Sequence, residues 1–250
     1  AGVQKAAKSV SFPNGSIVIK AAWREVNDSN DARFYTTEAC VCEGYEGSQP
    51  IGCKPKKMGF VGMHIVTKTP SAPQWIWSTY EQVDNVAIKY PNIRTPETGI
   101  VKPVSPSYYD PSCKKDCPPN KQTPKGVPAQ LTRLIPVPSL APNCSQENQA
   151  VDDIKQLNLD VQKALANANR PKPPKEIDPV FQYYELVNTQ WAVHKADDYQ
   201  DSKTDIKAAI PPIVANLTME SYVQQTSTCI GCHSTARTIN PEQFVSSDFT

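Results

Sequence analysis

The sequence predicts an α+β protein in three parts: a β-rich N-terminal lobe over residues 1–90, a proline-rich connection tied down by disulfides over 91–146, and a helical C-terminal lobe over 147–250. Three observations carry this expectation. Apolar residues alternate with period two before residue 90, the pattern of half-buried strands. Twelve of the 24 prolines fall in residues 91–146, where they interrupt any helix or strand. Beyond residue 146 the apolar spacing becomes roughly helical. The 250 residues can bury a sizeable core, and the two lobes are expected to share one body.

Along the chain, Val10, Phe12, Ile17, Ile19, Ala21 and Trp23 alternate around Pro13-Asn14-Gly15, which reads as two strands joined by an Asn-Gly turn. A third strand is expected at Arg33–Thr37, a fourth over Lys57–Thr69, and a fifth over Trp75–Tyr80 after Pro70 and Pro73. The 91–146 stretch is too long for a free loop in a compact domain, so Cys113, Cys117 and Cys144 are expected to fasten it over the surface; a disordered linker is the alternative. Val151, Ile154, Leu157, Leu159, Val161 and Leu165 keep a roughly helical period and predict a helix from 147 to about Asn169, stopped by Arg170-Pro171-Lys172-Pro173-Pro174. A second helix is expected from Pro179 to Val193 after Asp178, and a short third one capped by Asn216 that leads towards Cys229.

Formal charge is +1, with 26 Lys and Arg against 25 Asp and Glu, so nothing points to a nucleic-acid or anionic-membrane partner. No apolar run approaches the roughly 20 residues of a transmembrane helix, and Ala1-Gly2-Val3-Gln4-Lys5 lacks the apolar core of a signal peptide, as a processed chain would. Oligomeric state is not legible. The most telling residues are the eight cysteines. Two belong to Cys229-Ile230-Gly231-Cys232-His233, a Cys-x-x-Cys-His run with the attachment spacing of c-type haem. Cysteines three apart lie on one side of a helical turn, where their sulfurs reach two vinyl groups of one porphyrin, and His233 then offers an imidazole to the iron. Half a zinc site, a redox Cys-x-x-Cys or a chance pentapeptide are the alternatives.

The remaining six, Cys40, Cys42, Cys53, Cys113, Cys117 and Cys144, sit in polar loops and suit up to three disulfides on an exported, periplasmic protein; a zinc site among them is the competing reading. Cys42 with Cys53 is the favoured pair, because Glu43–Gly52 reads as a hairpin-like loop.

Of the 17 residues after His233 none is Met or His, so a sixth iron ligand is expected from upstream. His64, within the apolar run Met58–Val66, is the favoured distal ligand or distal-pocket residue; His194, Met58, Met63 and Met219 are the others, and Met219 can instead pack against the porphyrin edge. Trp75, Trp77 and Tyr80 are expected as core or haem-pocket packing, with an aromatic relay or radical site beside the haem as the alternative, while Glu81, Asp84 and Asn85 either cap local backbone or reach the cofactor.

The blocks Gly62-Met63-His64-Ile65-Val66 with Lys68-Thr69-Pro70, Trp75-Ile76-Trp77-Ser78-Thr79-Tyr80-Glu81-Gln82-Val83-Asp84-Asn85, Leu186-Val187-Asn188-Thr189-Gln190-Trp191 and Ser227-Thr228-Cys229-Ile230-Gly231-Cys232-His233 together resemble an exported bacterial mono-haem cytochrome c family. The resemblance covers residues 57–250. It implies one covalently attached haem c on Cys229 and Cys232, His233 as proximal ligand, and His64 with the tryptophans in the haem environment. Gln82 stands where the family is expected to carry His. Such a protein would pass single electrons between redox partner proteins. The alternative is a haem enzyme or small-gas binder with an open distal site, because two strong protein ligands leave no coordination position for a substrate.

Overall fold

The computed structural model describes residues 12–27, 31–86, 106–113, 115, 117–124, 127, 129–134, 145–167, 179–192 and 209–235. Its centre is a sheet of antiparallel strands built on two long neighbours, β5 (Lys54–Thr69) and β6 (Ala72–Gln82). β1 (Ile17–Glu25) and β2 (Thr36–Val41) both pair with the outer edge of β5, one after the other, at residues 58–67 and 54–59. On the other side follow β7 (Tyr184–Ala192) and the two-residue β8 (Ala209–Ile210). A separate ribbon of β3 (Gly44–Glu46) and β4 (Gln49–Ile51) extends from the β2/β5 end. Two α-helices are described, α1 (Ser145–Asn167) and α2 (Cys229–Thr235).

β1, β5 and β6 lie where the alternation predicts strands. From His64 onward β5 alternates buried and half-buried residues, and β6 does so from Trp75, which is the mark of a sheet with one fully covered face. The Pro13-Asn14-Gly15 turn is present, with Gly15 at φ 90° and its N–H donating to Lys68 O at 2.8 Å. Arg33 belongs to a short 3-10 turn over Asp31–Arg33, and the third strand starts only at Thr36. α1 falls on the expected helix.

The helical C-terminal lobe is the expectation the structure overturns, and with it the α+β division into a β-rich and a helical half. Pro179–Tyr183 is a 3-10 turn, and Tyr184–Ala192 is strand β7, hydrogen-bonded to β6 through pairs such as Trp77 with Gln190 and Glu81 with Glu185. Tyr183, Tyr184, Leu186, Val187 and Trp191 suit a helical face on paper. Tyr184 to Val187 are nevertheless all buried, because this strand end is covered on both faces, so the period-two signal disappears. The third helix is also absent: residues 216–226 form successive turns, and α2 begins only at Cys229. Among the described residues of the C-terminal part, β7 and β8 therefore extend the sheet.

Within the connection, Cys113 bonds to Cys117, and at the ribbon Cys42 bonds to Cys53 as expected. Cys144 and His194 lie outside the described residues. Ion pairs hold the loops to the sheet. Glu81, buried, accepts from Arg133 and from the Leu217 N–H at 2.8 Å, while Asp84 takes a two-pronged bond from Arg33 at 2.6 and 2.8 Å. No helix among the described residues is long and apolar enough to cross a membrane.

Candidate functional site

Strand register places the candidate residues. Val66 lies opposite Trp77 and His64 opposite Thr79 across β5 and β6, while Trp77 lies opposite Gln190 on β7. Directly opposed residues share a face, as do residues two apart on a strand. His64, Val66, Trp75, Trp77, Thr79, Glu81 and Gln190 thus form one buried face. Trp75 reaches it through an irregularity: β6 carries extra residues between the Thr69/Ala72 and Thr67/Ile76 pairs, and Trp75 has φ 71°. A left-handed backbone at a buried tryptophan is costly for a bulky residue, and here it turns the indole into the cluster.

Residues 214–233 lie across this face. Val66, Trp75, Trp77, Val214 and Cys229 make one apolar cluster, with Val18 and Ile230 against it. Asn216, fully buried, donates from Nδ2 to Thr79 Oγ1 and to Tyr80 O, both at 2.9 Å. Gln190 fixes the start of α2: its Oε1 accepts from the Ile230 N–H and the Thr228 hydroxyl, both at 3.1 Å, and its Nε2 donates to Pro211 O at 2.6 Å. Thr228 caps the helix, with Cys232 N–H donating to Thr228 O at 3.0 Å.

α2 carries the whole Cys-x-x-Cys-His run. Cys229 points into the apolar cluster, Cys232 is exposed, and both carry thiols rather than a mutual disulfide. The His233 ring packs on Trp77 with centroids 4.3 Å apart and planes inclined by 48°. Burial pushes the Cys229 thiol up to about 12, and the Glu220 carboxylate adds to the effect. A thiol held so high is protonated at neutral pH and is a poor nucleophile, which speaks against a redox-active Cys-x-x-Cys.

His64 lies on the same face, buried, with Nε2 3.5 Å from Glu220 Oε2 and no hydrogen-bond partner among the described residues. Glu220 is itself held by the Asn216 N–H at 2.7 Å. Met219 sits beside it, in the turn that Asn216 opens.

The fold thus brings together Cys229, His233, Trp75 and Trp77, with His64 on the same sheet face and Met219 in the segment that covers it. Tyr80 is separated from them. It falls between Thr79 and Glu81 and points to the opposite face, beside Ser78, where burial raises its hydroxyl pKa against the lowering effect of that serine. Glu81, Asp84 and Asn85 serve the protein's own structure, Asn85 donating to Val61 O at 2.8 Å. Gln82, also buried, bonds Arg33 O and Asp84, away from the cluster. Gln190 and Glu220 support the site without having been singled out as site residues in the sequence, and Asn216 was expected there only as a helix cap. Only strand register and the path of residues 214–228 make them adjacent.

A haem fits these residues on chemical grounds: two thiols one helical turn apart, an imidazole next to the second, an aromatic wall, and a buried imidazole nitrogen lacking a hydrogen bond on the same face. No protein-family model matches the chain, and neither does any curated protein or solved structure.

Proposed function

We propose that this chain is an exported mono-haem c-type cytochrome that passes single electrons between redox partner proteins. Cys229 and Cys232 would hold haem c as thioethers, and His233 would ligate its iron. The observation that carries the reading is the seating of the complete Cys-x-x-Cys-His turn on the Trp75/Trp77 face, clamped there by Gln190. Haem c supplies a one-electron ferrous/ferric couple when bound. The chain's part is to fix the attachment turn against a rigid sheet, to exclude water with Trp75, Trp77 and Val66, and to leave the Cys232 side open to a partner. The two disulfides support an oxidising compartment, hence the periplasm.

One observation favours a second reading, a haem enzyme or small-gas binder. Glu220 lies 3.5 Å from the His64 nitrogen that would otherwise be offered to the iron, which suits His64 to handling protons beside an open face. The ferrous spectrum with and without CO distinguishes the two. A six-coordinate low-spin spectrum indifferent to CO supports the carrier, and replacing His64 by Ala should then convert it to high spin. A CO-shifted spectrum in the native protein supports the second reading.

A further inference from the structure

Away from this face, β2 and β5 pair with Cys40 opposite Pro55 and Val41 opposite Lys54. One further step along this register sets Cys42 against Cys53, the pair that is bonded, and the ladder continues with Glu43 N–H donating to Ile51 O at 3.0 Å. Cys40 stands two residues before Cys42, so its side chain leaves the ribbon on the same side. Cys40 is exposed and outside any disulfide, and the three sulfur atoms lie within 4.8 Å of one another. A thiol this close to a disulfide, at an accessible end of a sheet, has the arrangement that thiol–disulfide exchange requires.

We infer that Cys40, Cys42 and Cys53 form a thiol-exchange site, in which Cys40 trades places with a member of the Cys42–Cys53 bond. Cys40 loses its proton to water, and its thiolate attacks one sulfur of the disulfide. A new sulfur–sulfur bond forms as the old one breaks, and the displaced thiolate takes up a proton. The number of disulfides is unchanged, so no oxidant or reductant is consumed. Attack on Cys53 moves the cross-strand staple two residues along β2 and liberates Cys42. Attack on Cys42 closes a bond between Cys40 and Cys42 and liberates Cys53. Either way the β3–β4 ribbon gains a second covalent state, and the reactants the site accepts are thiols and disulfides. This inference is independent of the reading of the Cys229 face.

Differential labelling of the full-length, oxidised protein tests it. Free thiols are trapped with N-ethylmaleimide after an acid quench, the disulfides are then reduced and labelled with iodoacetamide, and fragmentation of the tryptic peptide Phe34–Lys56 locates each label. The expected result is maleimide on Cys40 in part of the molecules and on Cys42 or Cys53 in the rest, with the second population lost in Cys40→Ser. Maleimide confined to Cys40 overturns the inference. So does a peptide without maleimide, which would mean Cys40 is bonded elsewhere, and so does persistence of the Cys42 or Cys53 label in Cys40→Ser.

Discussion

Replacing Gln190 by Leu should loosen the attachment turn from the sheet at a cost of about 3 kcal/mol. The side chain is fully buried and serves three partners, the Thr228 hydroxyl, the Ile230 N–H and the Pro211 carbonyl. Leucine fills similar space but leaves all three without a bond. Each buried group so abandoned costs about 1 kcal/mol or more, and the loss of all three sums to about 3 kcal/mol. For a chain of this size that corresponds to a fall of about 6–12 °C in Tm. Thermal unfolding followed by far-UV circular dichroism measures it, and hydrogen exchange should show loss of protection at the Ile230 amide. A Tm within about 2 °C of wild type, with that amide still protected, would refute the assignment of Gln190 as the clamp.

Three other perturbations probe the same architecture. Gly62→Ala sets a methyl against Thr218 Oγ1 and 2.9 Å from Asn216 Oδ1, so it should lower stability by about 1–3 kcal/mol in urea; a neutral result would mean that residues 216–218 do not lie on β5 as described. Glu81→Gln leaves half-buried Arg133 short of its closest counter-charge and should cost about 3 kcal/mol in the same assay, whereas an unchanged midpoint would contradict the pairing of Arg133 with buried Glu81. Burial, with Glu81 adding and Arg24 opposing, pushes the Tyr108 hydroxyl up to about 12, so the unfolded chain ionises first as pH rises above 10. Stability should therefore fall by about 2 kcal/mol between pH 10 and 12, and Tyr108→Phe should remove that part of the slope; identical pH profiles for the two proteins would contradict it.

Much of the sheet was legible because β5 and β6 keep one face in the core, and α1 was legible because its apolar residues recur at helical spacing; β1 was legible from the alternation of Ile17, Ile19 and Trp23, yet these lie exposed and it is Val18 and Ala22 that pack against the core. β7 was not, since a strand covered on both faces at one end loses its alternation, and Tyr183, Tyr184, Leu186, Val187 and Trp191 then fit a helical face equally well. The turns at residues 216–226 read as a helix in the sequence for a related reason. Asn216 is a good cap residue, but its amide bonds Thr79 and Tyr80 across the sheet. The Cys-x-x-Cys-His spacing marks the site without help from the fold. Its supports do not announce themselves, because a lone Gln or Asn has no local signature, and Gln190 meets Ile230 only through the pairing of β6 with β7. Tyr80 illustrates the converse, since its place among tryptophans in the sequence conceals that it faces the other way.

The proposed binding of haem c by Cys229 and Cys232 is tested most directly by directing the protein to the periplasm of a bacterium equipped for cytochrome c maturation and measuring its mass under denaturing conditions. The expected result is a mass raised by one haem that survives denaturation, a pyridine haemochrome spectrum of the c type, and loss of both in Cys229→Ala with Cys232→Ala. An apoprotein mass, with thiol reagent labelling Cys229 and Cys232 once the chain is unfolded, would contradict it.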